Sequence, residues 1–248
     1  MTQNFKIEAT NPGGHSSVPR PDNAIYALSA ALGRIGTHEF PIRMSDITRA
    51  TFAALGQMTP APMGPAMLRL IADPADAAAD AIVSKDPRFH SLLRTTCVAT
   101  QIEGGHAINA LPQRAFANVN CRMFPTDTPA DVGAALRAAV GDAPVTVTAV
   151  PPVNPVNTPP PLKGEVYDTA ALLAKRHFPG VPIVPSMSTG ATDGRFLIAA
   201  GVPTYGVPGL LSDGSSNAHG LNERTSVKWL LVGRDYLHDL VKDYAGVK

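Results

Sequence analysis

A single histidine, His219, stands in the stretch "SSNAHGLNER" (215–224), with Glu223 four positions later. The flanking residues are small, so an imidazole at this position can approach a ligand without obstruction. A carboxylate within reach of an imidazole can hold the ring in one tautomer through a hydrogen bond. We therefore interpret His219 as a candidate ligand-binding residue and Glu223 as its supporting carboxylate. The alternative is an ordinary histidine in a surface loop.

Two arginines have the chemistry of carboxylate binding, because a guanidinium group grips a carboxylate through paired hydrogen bonds. The stretch "STGATDGRFLIAAG" (188–201) predicts a polar turn and then a short helix, with Asp193 as its cap and Arg195 in its first turn. Arg122 lies on the polar face of a predicted strand at 115–123. A surface salt bridge would also explain Arg195, and an exposed sheet face would also explain Arg122.

A second histidine, His15, follows two glycines in "NPGGHSSVPRPDNA" (11–24), a loop that precedes a predicted helix. With Ser16 and Ser17 beside it, His15 indicates polar contact with a ligand or with another subunit. The alternative is a helix-capping serine with an incidental histidine. Asn109 lies in a predicted turn between two strands, in "GGHAINALPQR" (104–114).

The elements that must position these residues follow from hydrophobic periodicity. Alternation predicts strands, and apolar residues at helical spacing predict helices. The predicted strands are 5–9, 95–103, 115–123 and 145–150, the predicted helices are 21–36 and 128–141, and residues 37–94 are predicted to be a mostly helical insertion. This β-α-(insertion)-β-β-α-β order is the ferredoxin-like pattern of an α/β (α+β) protein.

The prolines of 151–162 predict a boundary after this first part. Beyond it we expect helices at 165–178 and about 226–244, and short strands near 182–185 and 203–207. Leucines, valines and Tyr244 form one broad face of the last helix, which we interpret as core packing. Two or three short strands are too few for an independent α/β domain, so this portion resembles part of a larger sheet.

Composition excludes several classes of protein. The net charge of +1, with acids and bases interspersed, argues against nucleic-acid binding. No apolar run approaches the roughly 18 residues of a membrane span. Cys97 and Cys121 match no zinc or redox spacing, so we expect plain strand or core residues. Residue 1 runs straight into a strand, as in the middle of a fold. The compartment stays unknown, with the cytoplasm favoured over the periplasm.

Four stretches, "GGHSSVPRPDNAI", "GGHAINALPQRAFANVNCR", "TGATDGRFLIAAGVPTYGV" and "NAHGLNER", occur in this order. Together they resemble the di-zinc hydrolase family of aminoacylase, carboxypeptidase S, acetylornithine deacetylase and succinyl-diaminopimelate desuccinylase, and the insertion with the "HGLNER" ending is most like the carboxypeptidase S branch. The resemblance implies a lid or dimerisation domain at 1–150, with its helical insertion at about 37–94. It implies the C-terminal portion of a metallopeptidase catalytic domain at 151–248.

The resemblance also implies roles for the residues introduced above. His15 resembles a lid histidine that enters the partner subunit's active site and stabilises the developing oxyanion. Asn109 resembles a lid asparagine near the substrate, and Arg122 and Arg195 resemble arginines that bind the substrate's terminal carboxylate. His219 resembles a zinc ligand, and the expected assembly is a homodimer. The expected substrate is a dipeptide, a peptide C-terminus or an N-acyl amino acid.

The rest of such a metal site is not found in the sequence. Two zinc ions need about five protein ligands and a general base. None of the seven histidines begins an H-x-D, and no Glu-Glu pair occurs. We therefore expect a metallohydrolase whose remaining ligands are encoded before this chain, with zinc binding weak or absent and activity absent in the chain alone. The alternative is a non-catalytic dimerisation and substrate-binding module. A genuine start site at Met1 would favour this module, whereas in-frame codons for the missing ligands upstream of Met1 would favour the metallohydrolase.

Overall fold

Six strands and nine helices are found in the computed structural model, which describes residues 1–153, 158–207, 209–211 and 216–246. The strands are β1 (Thr2–Thr10), β2 (Gly14–His15), β3 (Thr96–Gly104), β4 (Ala110–Leu111), β5 (Arg114–Arg122) and β6 (Val145–Ala149). The helices are α1 (Ala24–Gly36), α2 (Asp46–Met58), α3 (Met63–Ala72), α4 (Ala77–Val83), α5 (Pro87–Leu93), α6 (Pro129–Val140), α7 (Glu165–His177), α8 (Gly194–Ala199) and α9 (Val227–Tyr244).

The chain forms two compact units. The first contains Met1–Pro159 and Ser186–Val202, and the second contains Pro160–Pro185 and Pro203–Lys248. The first unit therefore includes α8 in addition to the predicted lid. The predicted boundary near residue 150 and the assignment of 151–248 to a catalytic domain stay predictions.

A four-stranded antiparallel sheet in the order β3-β5-β1-β6 organises the first unit. Phe5, Ile7 and Ala9 alternate along β1 and are buried, and Ile7 pairs with Ala117 of β5. Burying an aromatic or branched side chain of this size contributes about 1.5–3 kcal/mol. The predicted ferredoxin-like order is confirmed, with the short ribbon β2-β4 added to it.

Two helices cover the buried face of this sheet, and their first turns explain where they begin. The Asn23 side chain accepts hydrogen bonds from the first backbone N–H groups of α1. Thr128 and Asp131 form a reciprocal capping box at α6. Asparagine thus caps α1, so the alternative in which Ser16 or Ser17 caps that helix is wrong.

The predicted helical insertion is confirmed as helices α2 to α5. Ser45, Asp76 and Asp86 cap three of these helices with their side chains. The insertion has a core of its own, separate from that of the sheet. The most deeply buried of its large side chains are Phe52, Met67, Leu70, Val83 and Leu93.

Cys97 and Cys121 differ from expectation. Both lie in strands as predicted, but they are joined in a disulfide and are not separate core residues. The register explains this result, because the pairing of β3 with β5 places the two residues directly opposite each other. The spacing of 24 residues in sequence contains no such information.

In the second unit, α7 and α9 pack around Tyr236, Phe178 and Leu240. The His177 ring forms a hydrogen bond to Asp239 across this pair, with 2.8 Å between Nε2 and Oδ2. The predicted strands at 182–185 and 203–207 are wrong, since both segments are irregular. A strand needs a neighbouring strand for its backbone hydrogen bonds, and none is present in the part of this unit that the structure describes.

The prediction of a buried apolar face on α9 is also wrong for this chain. Only Gly233, Tyr236 and Leu240 of the helix are buried. The remaining large apolar side chains are exposed by 37–71%: Val227, Leu230, Leu231, Leu237, Val241 and Tyr244. The predicted helix is present, but the described residues of this chain do not cover that face.

Candidate functional site

The short ribbon brings His15 and Asn109 together, although 94 positions separate them in sequence. His15 on β2 pairs with Ala110 on β4, and the next backbone N–H, of Ser16, donates to the Asn109 carbonyl at 3.0 Å. Gly13 and Gly14 have φ values of 81° and 149°, which only glycine adopts readily. The two glycines therefore allow the chain to turn out of β1 and present His15.

The His15 ring is held by its own loop. Ser17 places both its hydroxyl oxygen, at 2.8 Å, and its backbone N–H, at 3.2 Å, against Nδ1 of the ring. This role of Ser17 was not predicted from the sequence. The signal was present in "GGHSS", since a serine two residues after a histidine can return to its ring within one turn.

Arg122 and Arg195 act on the same point of the first unit. Burial lowers the pKa of the Met1 amino group, and the positive charges of Arg122 and Arg195 lower this pKa further. Arg122 ends β5, where it lies opposite Thr2 of β1, so its position beside the first residue follows from the sheet register. Arg195 belongs to the first turn of α8.

Arg195 has an unsatisfied polar atom. Its Nε is buried and has no hydrogen-bond partner among the residues that the structure describes. Its guanidinium carbon lies 4.6 Å from the centre of the Phe196 ring, a cation–π contact. The predicted short helix at α8 is confirmed, but its predicted capping by the Asp193 side chain is wrong, because that side chain makes no capping hydrogen bond.

His219 lies in an exposed turn of the second unit. Asn217, His219 and Asn222 all have positive φ values, of 53°, 62° and 58°. The Glu223 carboxylate accepts a hydrogen bond from the backbone N–H of His219 at 3.2 Å. Glu223 thus holds the turn that carries the imidazole through its backbone, whereas we expected contact with the ring.

A di-zinc site needs several histidine or carboxylate ligands around each ion. Among the described residues, no three histidine, cysteine, aspartate or glutamate side chains come together in a way that could hold a metal ion. His219 has the chemistry of one ligand, but the described donor set does not fit a complete zinc site.

None of the helices in the described ranges is both long enough and apolar enough to cross a membrane.

A ferredoxin-like sheet that presents a loop histidine and carries a helical insertion is the architecture of a lid-type domain. Residues 2–147 match the family model described as the peptidase dimerisation domain of M20 peptidases. This match covers more than half of the chain, and the chain belongs to that family. The predicted family membership is confirmed.

Curated relatives agree with this assignment. Probable carboxypeptidase S-like 2 of Dictyostelium discoideum is 24% identical over 245 residues, which are 96% of this chain and 46% of the relative. N-fatty-acyl-amino acid synthase/hydrolase PM20D1 of Homo sapiens is 24% identical over 249 residues, covering 98% of this chain and 49% of the relative. The chain therefore spans about half the length of the curated relatives it matches.

Solved structures share the fold. The di-peptidase Dug1p of Saccharomyces cerevisiae superimposes with a TM-score of 0.64 at 14% identity, covering 99% of this chain and 54% of that one. The M20 family metallo-carboxypeptidase Sso-CP2 of Sulfolobus solfataricus gives a TM-score of 0.60 at 17% identity, covering 97% and 57%. At these identities the likeness concerns the fold alone.

Proposed function

We propose that this chain is the dimerisation and substrate-binding part of a metal-dependent hydrolase that cleaves an amide bond next to a free carboxylate. The names of the relatives support this substrate class. The substrates of a carboxypeptidase, a di-peptidase and an N-fatty-acyl-amino acid hydrolase all have an amide bond next to a free carboxylate. The substrate of the intact enzyme is then a dipeptide, a peptide C-terminus or an N-acyl amino acid.

The observation that carries the proposal is the pair Arg122 and Arg195. Both positive charges lower the pKa of the Met1 amino group, although they come from a strand end and a helix start that are distant in sequence. The buried, unpartnered Nε of Arg195 is a donor that a carboxylate oxygen would satisfy. Two guanidinium groups and one orphaned donor favour an anionic substrate group at this place.

The other candidate residues have the following roles in the proposal. His15 of one protomer stabilises the oxyanion in the partner subunit's site, and Asn109, beside it on the ribbon, contacts the substrate. His219 is one ligand of the zinc that the family uses, with Glu223 holding its turn. The remaining ligands and the general base lie outside this 248-residue sequence, so the chain alone is inactive.

A surface for the homodimer lies on the edge strand β3 and the neighbouring helix α1. Ile102 and Gly104 share one face of β3, and a Cβ at Gly104 would lie 3.5 Å from Cγ1 of Ile25 on α1. Ile102 is 62% exposed and Ile25 is 40% exposed. We infer that the edge strand and the helix form one apolar surface at the edge of the sheet, where a second copy can pair.

The exposed apolar side chains of α9 support the proposal that the rest of the catalytic sheet lies outside this chain. A helix that is apolar on a broad face needs a partner for that face. We propose that this partner is the remaining part of the family fold, which makes up about half of each curated relative.

Carboxylate binding can be tested on the chain itself. Titration calorimetry with an N-acetyl amino acid, and with the same compound amidated at its carboxyl group, measures the contribution of the carboxylate. We expect binding of the acid, at least about tenfold weaker binding of the amide, and a similar loss in Arg195→Met, because a hydrogen bond to a charged group contributes about 1.5–3 kcal/mol. Arg88→Met, at an exposed arginine of α5, is the matched control.

Equal affinity for the acid and the amide, or an Arg195→Met variant that binds the acid as the unmodified chain does, would refute the carboxylate site. A zinc count and a hydrolysis assay on the same samples address the catalytic part. Stoichiometric zinc with turnover would show that the ligand set is complete in this chain. The alternative function is a non-catalytic dimerisation and substrate-binding module, which the match to the dimerisation domain favours. Carboxylate binding without zinc or turnover is expected for this alternative as well.

A further inference from the structure

The contacts of the His15 ring determine which of its nitrogens carries hydrogen. The backbone N–H of Ser17 points at Nδ1 from 3.2 Å, and the Ser17 hydroxyl oxygen lies 2.8 Å from the same atom. An amide N–H can only donate, so Nδ1 must accept. A neutral imidazole that accepts at one nitrogen carries its hydrogen on the other, which here is Nε2.

This geometry is built into the loop. The Val18 N–H donates to the His15 carbonyl at 2.9 Å, which closes a four-residue turn over positions 15 to 18. That turn directs the backbone of residue 17 back toward the side chain of residue 15. The ribbon anchors the other side of the turn, since Ser16 donates to Asn109.

We propose that Ser17 is a positioning residue, which holds the neutral His15 ring in the tautomer with hydrogen on Nε2. This inference rests on the proposed function, in which His15 stabilises an oxyanion. An oxyanion needs a hydrogen-bond donor aimed at it. The Nε2–H tautomer supplies that donor at the ring nitrogen that Ser17 does not contact, whereas the Nδ1–H tautomer would present a lone pair to the negative charge. Ser17 therefore acts on the substrate only through His15.

The tautomer can be measured without any turnover. Long-range ¹⁵N–¹H correlation spectra of the chain with labelled histidine, at about pH 8 where an ordinary imidazole is neutral, show which ring nitrogen carries hydrogen. A His15→Gln sample assigns the signals, and the exposed His106 serves as the internal reference. We expect His15 to be present only as the Nε2–H form, with its Nδ1 resonance displaced from that of His106 by the two Ser17 donors.

Three variants separate the side chain from the loop. Ser17→Ala removes the hydroxyl, so we expect the Nδ1 resonance to move toward the His106 value, and Ser17→Thr should restore it. Ser16→Ala, at the neighbouring serine, should leave it unchanged. A His15 ring with hydrogen on Nδ1 in the unmodified chain would overturn the inference, and so would a Ser17→Ala spectrum identical to the unmodified one.

The two proposals fail separately. The tautomer is read from the resting chain, so its failure would remove the oxyanion role of His15 and leave carboxylate binding by Arg195 unaffected. Loss of the carboxylate site would in turn leave the measured tautomer of His15 unchanged.

Discussion

Cys97 on the edge strand β3 lies directly opposite Cys121 on β5, with their Cα atoms 4.1 Å apart and their side chains joined in a disulfide. Opposed residues in an antiparallel pair approach most closely where the strands exchange no hydrogen bonds. The link joins the outermost strand of the sheet to its neighbour β5. It therefore bears on the stability of the strand that also carries the proposed dimer surface.

We expect reduction of this disulfide to lower the free energy of unfolding by about 2–4 kcal/mol, because the link restricts the unfolded chain. Urea unfolding of the same protein with and without reductant measures the difference, and the double variant Cys97→Ala, Cys121→Ala should match the reduced protein under both conditions. Two free thiols in the denatured, unreduced chain would contradict the pairing.

The strand that carries Cys121 shows what periodicity can predict. Alternation along β5 places Ala117, Val119 and Cys121 on the buried face, as the structure has them. The partner of Cys121 depends on the register between β3 and β5, which includes an irregularity between Ala99 and Gln101. Register is set by pairing across the sheet and cannot be read from either strand alone.

In the candidate site, too, some features follow from local sequence and others depend on tertiary contacts. The glycines before His15 predict an exposed loop, and that prediction rests on local backbone chemistry. The pairing of that loop with the turn at Asn109 depends on tertiary contacts. Similarly, Glu223 contacts the backbone of His219, and a spacing of four residues does not distinguish a contact with the ring from one with the backbone.

The proposed dimer surface predicts a change in oligomeric state. Ile102→Lys places a charge on the exposed edge of β3, and burying it against a second copy would be unfavourable. We expect a dimer for the unmodified chain and a monomer for the variant, as measured by light scattering at equal concentration. Met58→Lys changes an equally apolar exposed residue of α2 and should remain dimeric. If the unmodified chain stays monomeric at high concentration, this surface is not sufficient for dimerisation.

A buried cation, Arg94, holds two acids of the insertion. Its side chain is 6% exposed and donates to Asp80 and to Glu39. Burial raises the pKa of Asp80, but hydrogen bonds from Arg94 and Ser84 outweigh burial and hold the pKa below its ordinary value of 3.8. This carboxylate therefore stabilises the fold above its unfolded-state pKa, and the stabilisation disappears as the pH falls through the folded-state pKa.

The sign of this effect gives a pH-dependent prediction. At pH 7, we expect Asp80→Asn to lower the free energy of unfolding by about 1.5–3 kcal/mol, because Arg94 loses a charged acceptor. As the pH falls below 3.8, the difference between the two proteins should shrink, since protonation removes the same interaction from the unmodified chain. Chemical unfolding at a series of pH values measures both.

The control for that series is Asp142→Asn. Asp142 also pairs with an arginine, Arg34, but its side chain is 90% exposed. Solvent screens such a pair, so its removal should change stability little at any pH. An Asp80→Asn protein that differs from the unmodified chain by a constant amount across the acid range would show that the charge of Asp80 does not contribute.

The α9 helix carries buried side chains that stabilise the second unit and exposed apolar side chains that we propose to be covered by another part of the family fold. Tyr236 is buried and donates to the Ala170 carbonyl of α7 at 3.1 Å, whereas Val227 and Val241 are 71% and 66% exposed. Replacing both valines with lysine should leave the helix content unchanged and reduce binding of an apolar fluorescent dye. Tyr236→Ala should lower helix content or the unfolding temperature, because it removes packing and a hydrogen bond. Circular dichroism and dye titration measure these effects, and a double-lysine variant that unfolds would mean that this face already packs within the chain.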